Sequence, residues 1–422
     1  MSRAPELLSP AGSLKHVAYA LAYGADAVYA GQPRYSLRTR NNAFRDPEAL
    51  GEGIARAHAR GRRFFVASNI IAHDNKVRTY LRDMEAVIEQ GPDALIMSDP
   101  GLILLVRERW PEVPIHLSVQ ASTSNSAAVR FWAGAGIRRV ILSRELSLEE
   151  IARIREACPE TELEVFVHGA LCIAYSGRCL LSGYFNHRDP NQGACTNSCR
   201  WSYRTAPADE DETGQLQPVL LEEERRRGEL MPMYEDEHGS YILNSRDLRA
   251  VQHVGELTRL GIDSLKIEGR TKSAYYTART TQVYRSAIDA AVAGRAFEPG
   301  LLSALDGLSS RGYTEGFYRR HPPQAYQNYT EGSSGNASQR LVGEVIDACD
   351  HWLELEVKNR LAVGMEAELM TPAGNHRFRV EALEDPQGRR MEVAPGAGYR
   401  VRIPRPEGAA AEFALLLAAT GR

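Results

Sequence analysis

Glu6-Leu7-Leu8-Ser9-Pro10 is an apolar run; Leu14 to Tyr23 carries apolar residues at helical spacing and stops at Gly24; Ala27-Val28-Tyr29-Ala30-Gly31 is apolar again. Strand, helix and strand at so short an interval make the two strands parallel neighbours, because a crossover helix is the usual joint between parallel strands. The unit recurs. Further apolar runs cover Phe64–Asn69, Ala94–Asp99, Ile115–Gln120, Val140–Glu145 and Leu163–Gly169, with helical patterns between them. Asp46-Pro47-Glu48 opens one such helix, which ends near Gly61, and Ser147 with Glu150 forms the capping signature of another. Two more candidate strands follow, Tyr241–Asn244 and Ser264–Gly269, separated by a helical stretch around Leu248–Leu260. Eight parallel strands close a (β/α)8, TIM-like barrel. Nine candidates leave one outside, and the sequence does not say which. An open doubly wound sheet is the rival, but no Gly-x-Gly-x-x-Gly follows the first strand, and Gly134-Ala135-Gly136 stands before a strand.

The runs end in polar residues: Ser9, Asn69, Asp99, Gln120, Arg144 with Glu145, His168 and Glu268. In a barrel these ends converge on the C-terminal face, where such folds carry their chemistry. Arg144, Glu145, His168 and Glu268 are therefore the candidate catalytic groups. After the second run come Arg34, Tyr35, Arg38 and Arg40, with Asn41 and Asn42. Arginine forks suit carboxylates and phosphates. With Arg270, Arg34, Tyr35, Arg38 and Arg40 form the candidate substrate-binding set. The segment Thr271–Asp289 mixes Lys272, Arg279 and Arg285 with Tyr275, Tyr276 and Tyr284. It reads either as an RNA-gripping face or, more often for such a helix, as tyrosines on the core with solvated cations.

Residues 1–320 are the expected barrel domain. Asp209-Glu210-Asp211-Glu212 and the mixed charge of Glu222–Arg227 mark a charged, flexible insertion over about 204–239. Pro322-Pro323 and Gly332-Ser333-Ser334-Gly335 make 321–340 a linker, and short β-like runs between Gly and Pro turns make 341–422 a small all-β domain, a barrel by its pattern. The net charge of −3 excludes bulk attraction to nucleic acid, so RNA contact would need a local basic patch. No stretch approaches the ~20 apolar residues of a membrane span. The N-terminus lacks an apolar signal core, so a cytoplasmic protein with reduced thiols and no membrane partner is expected.

Four of the six cysteines, Cys172, Cys179, Cys195 and Cys199, gather just after the run Leu163–Gly169. Clustered thiols in a reducing compartment are more often metal ligands than disulfides. The spacing Cys-x6-Cys-x15-Cys-x3-Cys contains no Cys-x2-Cys knuckle of the structural zinc type. Wider spacing suits an iron–sulfur cluster. Zinc and inert buried thiols remain as alternatives, and His168 or His187 could replace a thiol. A Cys172–His168 nucleophile pair is conceivable, but neither His-Glu-x-x-His nor Gly-x-Ser-x-Gly occurs. Cys158 and Cys349 read as small hydrophobes.

Glu164-Val165-Phe166-Val167-His168-Gly169-Ala170-Leu171-Cys172 with Tyr175-Ser176-Gly177-Arg178-Cys179-Leu180-Leu181-Ser182 resembles the signature of the collagenase-like peptidase family of unknown catalytic type. Glu6–Gly12, Gly24–Tyr29, Ser143–Ser147 and Ser264–Arg270 also resemble that family's blocks, which together span nearly the whole chain. Ala30–Arg38 and Glu235–Gly239 are similar to the branch that hydroxylates tRNA. The resemblance implies prephenate-dependent, oxygen-independent 5-hydroxylation of the wobble uridine of tRNA. It implies a [4Fe–4S] cluster on Cys172, Cys179, Cys195 and Cys199, prephenate as co-substrate, and an electron donor not identified by the sequence. Prephenate has two carboxylates, for which Arg34, Arg38, Arg40, Arg144 and Arg270 are the candidate holders. Hydroxylation of a quinone precursor or an rRNA base, or peptidase activity as the family name suggests, are the alternatives.

Overall fold

The computed structural model describes residues 3–37, 42–171, 246–310, 312–319 and 339–419, and the backbone of five short strands between 203 and 240. Eight parallel strands form the first domain: β1 Glu6–Pro10, β2 Ala27–Gly31, β3 Arg63–Ser68, β4 Ala94–Met97, β5 Ile115–Leu117, β6 Arg139–Ile141, β7 Glu162–Ala170 and β8 Ser264–Ile267. They pair in sequence order, and β8 pairs with both β7 and β1, which closes the ring. The fold is a TIM-like barrel. The candidate strand Tyr241–Asn244 lies outside the described residues, and the ring is complete without it. The helices of the first seven units are α1 Leu14–Ala22, α2 Pro47–His58, α3 Asp74–Ile88, α4 Pro100–Arg109, α5 Ser126–Gly134, α6 Leu148–Ala157 and α7 Val254–Arg259; α8 Ala274–Val292 follows β8.

Local chemistry sets the boundaries. Asp46 accepts from Ala49 N–H at the start of α2, with Pro47 in the first turn. Ser147 and Glu150 form the expected capping box of α6. Several strands stop before their polar ends. Asp99 caps α4 instead of continuing β4, and Ser118 caps a 3-10 turn over Val119–Ala121 after β5. A strand's final polar residue is thus free to serve the next helix.

The barrel interior is ionic at its centre. Arg139 of β6 donates to Glu6 of β1 at 2.6 Å and to Glu164 of β7 at 3.1 Å, and it also pairs with Glu162 at 2.8 Å. Lys266 of β8 donates to the other oxygen of Glu164 at 2.8 Å. Glu6 further accepts from Ser264 at 3.0 Å and is paired with Arg63. Arg139, Glu164 and Lys266 are almost wholly removed from water. Ion pairs taken out of water are tolerable only when every oxygen finds a donor, and each carboxylate here has at least two. His116, fully buried beside Arg139, is held well below the usual histidine value, first by burial and then by that guanidinium, and it stays neutral.

Between 203 and 240, where a flexible charged insertion was expected, Tyr203–Ala206, Val219–Glu223 and Leu230–Met233 form a three-stranded antiparallel sheet, and Glu235–Asp236 pairs with Gly239–Ser240. The runs Val219-Leu220-Leu221 and Leu230-Met231 supply β-forming residues between the acidic stretches. The C-terminal domain is all β. An eight-stranded antiparallel sheet and a two-stranded one surround a core that includes Val342, Leu353, Leu355, Leu369, Val401 and Leu416. It docks on α1 and α8. Met370, Leu415 and Leu417 join the barrel's own core, Tyr23 Oη lies 3.0 Å from the carbonyls of Met370 and Phe413, and Arg279 meets Glu368 at 2.5 Å. Tyr275, Tyr276, Tyr284 and Arg279 of α8 are all buried, so this face packs against protein rather than gripping RNA. Among the described residues no helix is long and apolar enough to cross a membrane.

Replacing Glu164 by Leu keeps the volume, strands Lys266 without its carboxylate and leaves Arg139 only Glu6 and Glu162. The expected loss is about 3–5 kcal/mol of folding stability, read as a lower urea midpoint at unchanged slope.

Candidate active site at the barrel mouth

A small pocket, open to solvent, occupies the C-terminal mouth of the barrel. Tyr29, Asn69, Gln120, Arg144, Phe166, Lys266, Glu268 and Arg270 line it, together with apolar residues of the strands. The polar lining follows from strand parity. Along Ser264-Leu265-Lys266-Ile267-Glu268, Leu265 and Ile267 are fully buried in the apolar core, while Ser264 and Lys266 bond to the carboxylates on the axis.

Two aromatic rings organise the cations. Arg144 lies with its guanidinium carbon 3.9 Å from the Phe166 ring centre, and the Lys266 ammonium is 5.4 Å from the same ring. Lys266 also stands 4.4 Å from the Tyr29 ring, with Arg270 at 5.7 Å from it. A cation over an aromatic face is attracted by the ring quadrupole. Arg144 donates to the Ala170 carbonyl at 2.7 Å and approaches Glu268 at 3.5 Å, and its buried Nε has no hydrogen-bond partner in the structure. Arg270 donates to the Leu37 carbonyl at 2.7 Å. Gly31 makes room for it, since a Cβ there would lie 2.3 Å from Arg270 Nη1. Burial pushes the Lys266 ammonium below its ordinary value, against the opposing pull of Glu164.

Arg144, Glu268 and Arg270 thus come together. His168 goes elsewhere. Its parity with Glu164 and Phe166 would aim it at the axis, but the β7–β8 register shifts by one residue between Phe166 and His168. A bulge of this kind reverses the faces beyond it. His168 sits instead among the rings of Tyr276, Tyr284 and Tyr313, with centroids 5.8, 5.6 and 5.5 Å away, and is 1% exposed. Burial holds it down to about 3. Gly169 next to it adopts φ +109°, and a Cβ would meet the Glu268 carbonyl at 2.5 Å, so the seam closes only on glycine. Glu145 accepts from Ser143 at the side of the mouth and does not line the pocket. Ser9 bonds Thr281 at 2.7 Å on α8, and Asp99 serves as a cap.

Arg34 extends to Asp83 on α3 at 2.5 Å, and Tyr35, wholly buried, bonds the same carboxylate at 2.7 Å. Both face α3 rather than the pocket. Arg38 and Arg40 lie outside the described residues, as do Cys172, Cys179, Cys195 and Cys199. Among the described residues no group of three His, Cys, Asp or Glu side chains could hold a metal ion. The segment that carries the four cysteines starts beside the pocket. Leu171 follows directly on β7, Ala170 accepts from Arg144, and the returning strand Asp247–Arg249 pairs antiparallel with His168–Ala170. The residue that sequence reasoning missed is Lys266; the alternation Ser264, Lys266, Glu268, Arg270 was its signal.

The sequence pattern of peptidase family U32 matches residues 12–328, and that of the U32 C-terminal domain matches 337–417. The chain belongs to peptidase family U32. It is 55% identical to tRNA hydroxylation protein P of Escherichia coli K12 over 98% of this chain and 96% of that protein. The protein of the same name from Haemophilus influenzae is 51% identical, with 98% and 96% covered. The 23S rRNA 5-hydroxycytidine C2501 synthase of Escherichia coli is 30% identical over 90% of this chain, which spans 57% of that protein's length.

Below the ordinary histidine value of 6.5 and down to about 3, the unfolded chain takes up a proton at residue 168 that the folded U32 chain refuses. Stability held by the neutral ring is therefore lost as pH falls through that window. The urea midpoint of the wild type should fall more between pH 7 and pH 4 than that of His168→Phe; equal losses would mean that the ring is protonated in the fold.

Proposed function

We propose that this U32 protein hydroxylates a uridine of tRNA at the wobble position, forming 5-hydroxyuridine, with prephenate as co-substrate. The observation that carries the reading is that two guanidiniums, Arg144 and Arg270, line one pocket at the barrel mouth. Two guanidiniums at one mouth suit a dicarboxylate, because arginine's fork matches a carboxylate's two oxygens. The names of the curated relatives support nucleic-acid hydroxylation as the broader activity.

Cys172, Cys179, Cys195 and Cys199 would hold a [4Fe–4S] cluster, an all-thiolate donor set that suits iron–sulfur. Such a cluster supplies electron transfer, or a Lewis-acidic iron, at the rim. Within this reading Arg144 and Arg270 bind the carboxylates, and Glu268 beside Arg144 orients it and is placed to accept a proton. The β domain, locked to α8 through Arg279 and Glu368, extends the surface available to tRNA. A separate electron donor completes the cycle. Peptidase chemistry is the weaker reading, since His168 is enclosed by three tyrosines and would be a poor base for any nucleophile.

Deletion of the gene should remove 5-hydroxyuridine-derived nucleosides from tRNA hydrolysates, measured by mass spectrometry, and the wild-type gene should restore them. Arg144→Ala should forfeit about 1.5–3 kcal/mol of carboxylate binding, a roughly 10- to 150-fold higher prephenate requirement. Anaerobically purified protein should contain iron and sulfide, both lost in Cys179→Ala. Zinc alone, or intact tRNA modification in the deletion strain, would overturn the reading.

A further inference from the structure

Lys266 is the amine among the residues of the mouth, and the fold buries it against Glu164. The ionic cluster on the barrel axis holds three carboxylates, Glu6, Glu162 and Glu164. Arg139, buried with Glu6 and Glu164, meets all three and Lys266 meets Glu164, while Arg63 on Glu6 and Arg138 on Glu162 come in from the exposed side. Burial of Lys266, 3% exposed, works against its charged form and the Glu164 carboxylate works for it, with burial the larger effect. A neutral amine still donates a hydrogen bond to Glu164, and it gains a nucleophilic lone pair.

The amine is also addressed. It lies on the floor of the mouth pocket, between the faces of Tyr29 and Phe166. The same two rings carry Arg270 and Arg144 on the rim. A molecule whose carboxylate meets a rim guanidinium brings the atom beside that carboxylate down toward the lysine. We propose that Lys266 forms an imine with an α-keto acid bound in this pocket. The amine nitrogen adds to the keto carbon, the carbinolamine loses its hydroxyl as water, and a carbon–nitrogen double bond replaces the carbonyl. Glu268 and Glu164 flank the lysine as the groups able to take and return the proton. No oxidant or reductant is consumed. The inference rests on the proposed function only in that prephenate is itself an α-keto acid; the amine, the rings and the rim guanidiniums stand without it.

The chain has five lysines, Lys15, Lys76, Lys266, Lys272 and Lys358, which provide internal controls. The full-length protein is incubated with pyruvate, phenylpyruvate or prephenate and sodium cyanoborohydride, which reduces an imine to a stable secondary amine. Intact mass and peptide mapping then locate the product. The expected result is one adduct per chain, equal in mass to the acid less water plus two hydrogens, carried by Lys266. It should be absent from Lys266→Arg, which keeps a cation over Glu164 and cannot form the imine, and roughly tenfold weaker at limiting acid in Arg144→Ala. No adduct, or an adduct spread over the more exposed Lys15 and Lys358, would overturn the proposal. Mapping on the wild type settles this even where a variant fails to fold. An adduct on Lys266 with unchanged tRNA in the deletion strain would refute the tRNA reading and leave the keto-acid site. Tight reversible binding of the acid without an adduct would do the reverse.

Discussion

The seam where β8 lies between β7 and β1 is the constraint on which the molecule depends. It closes the barrel, and the same few residues build the axis and the mouth. Leu265 and Ile267 pack into the core, while Ser264 and Lys266 complete the bonds of Glu6 and Glu164. Beyond them Glu268 and Arg270 reach the rim. A barrel filled only with branched aliphatic side chains would close as well, but it would have no reason to position a lysine and two arginines around two rings. The desolvation cost of the ionic axis is offset only by complete pairing, which fixes the register of four strands at once.

A second constraint is the bulge on β7. One extra residue between Phe166 and His168 turns His168 away from the axis and into a cage of tyrosines. On the mouth side the Arg144 guanidinium lies over Phe166 and reaches the Ala170 carbonyl beyond the bulge. Gly169, with its backbone against Glu268, lets the two strand ends approach closely.

The C-terminal domain is bound to the barrel by more than a linker. Apolar residues of its sheet join the barrel core, and the hydroxyl of Tyr23 and the guanidinium of Arg279 reach across to it. Such an interface, with a buried ion pair inside an apolar contact, favours one orientation of the two domains over others. The aromatic and basic residues of α8 are used there and against the core, which is why a helix that reads as mixed cation and aromatic does not present that mixture to solvent.

The sequence by itself determined the alternation of strands and helices, the helix caps at Asp46 and Ser147, the change to β structure past residue 340, and the convergence of Arg144, Glu268 and Arg270 on one face. Each of these depends on local periodicity or on the direction of a parallel strand, and both are carried by neighbours in the chain. Only the tertiary structure decided which candidate strand closed the ring, because closure depends on pairing between residues 6–8 and 264–266, far apart in sequence. Only it turned His168 inward to the tyrosines, since a bulge is set by the register of a partner strand. It also sent Arg34 and Tyr35 to Asp83, and it brought out Lys266, which only pairing between distant strands sets against Glu164 and between the Tyr29 and Phe166 rings.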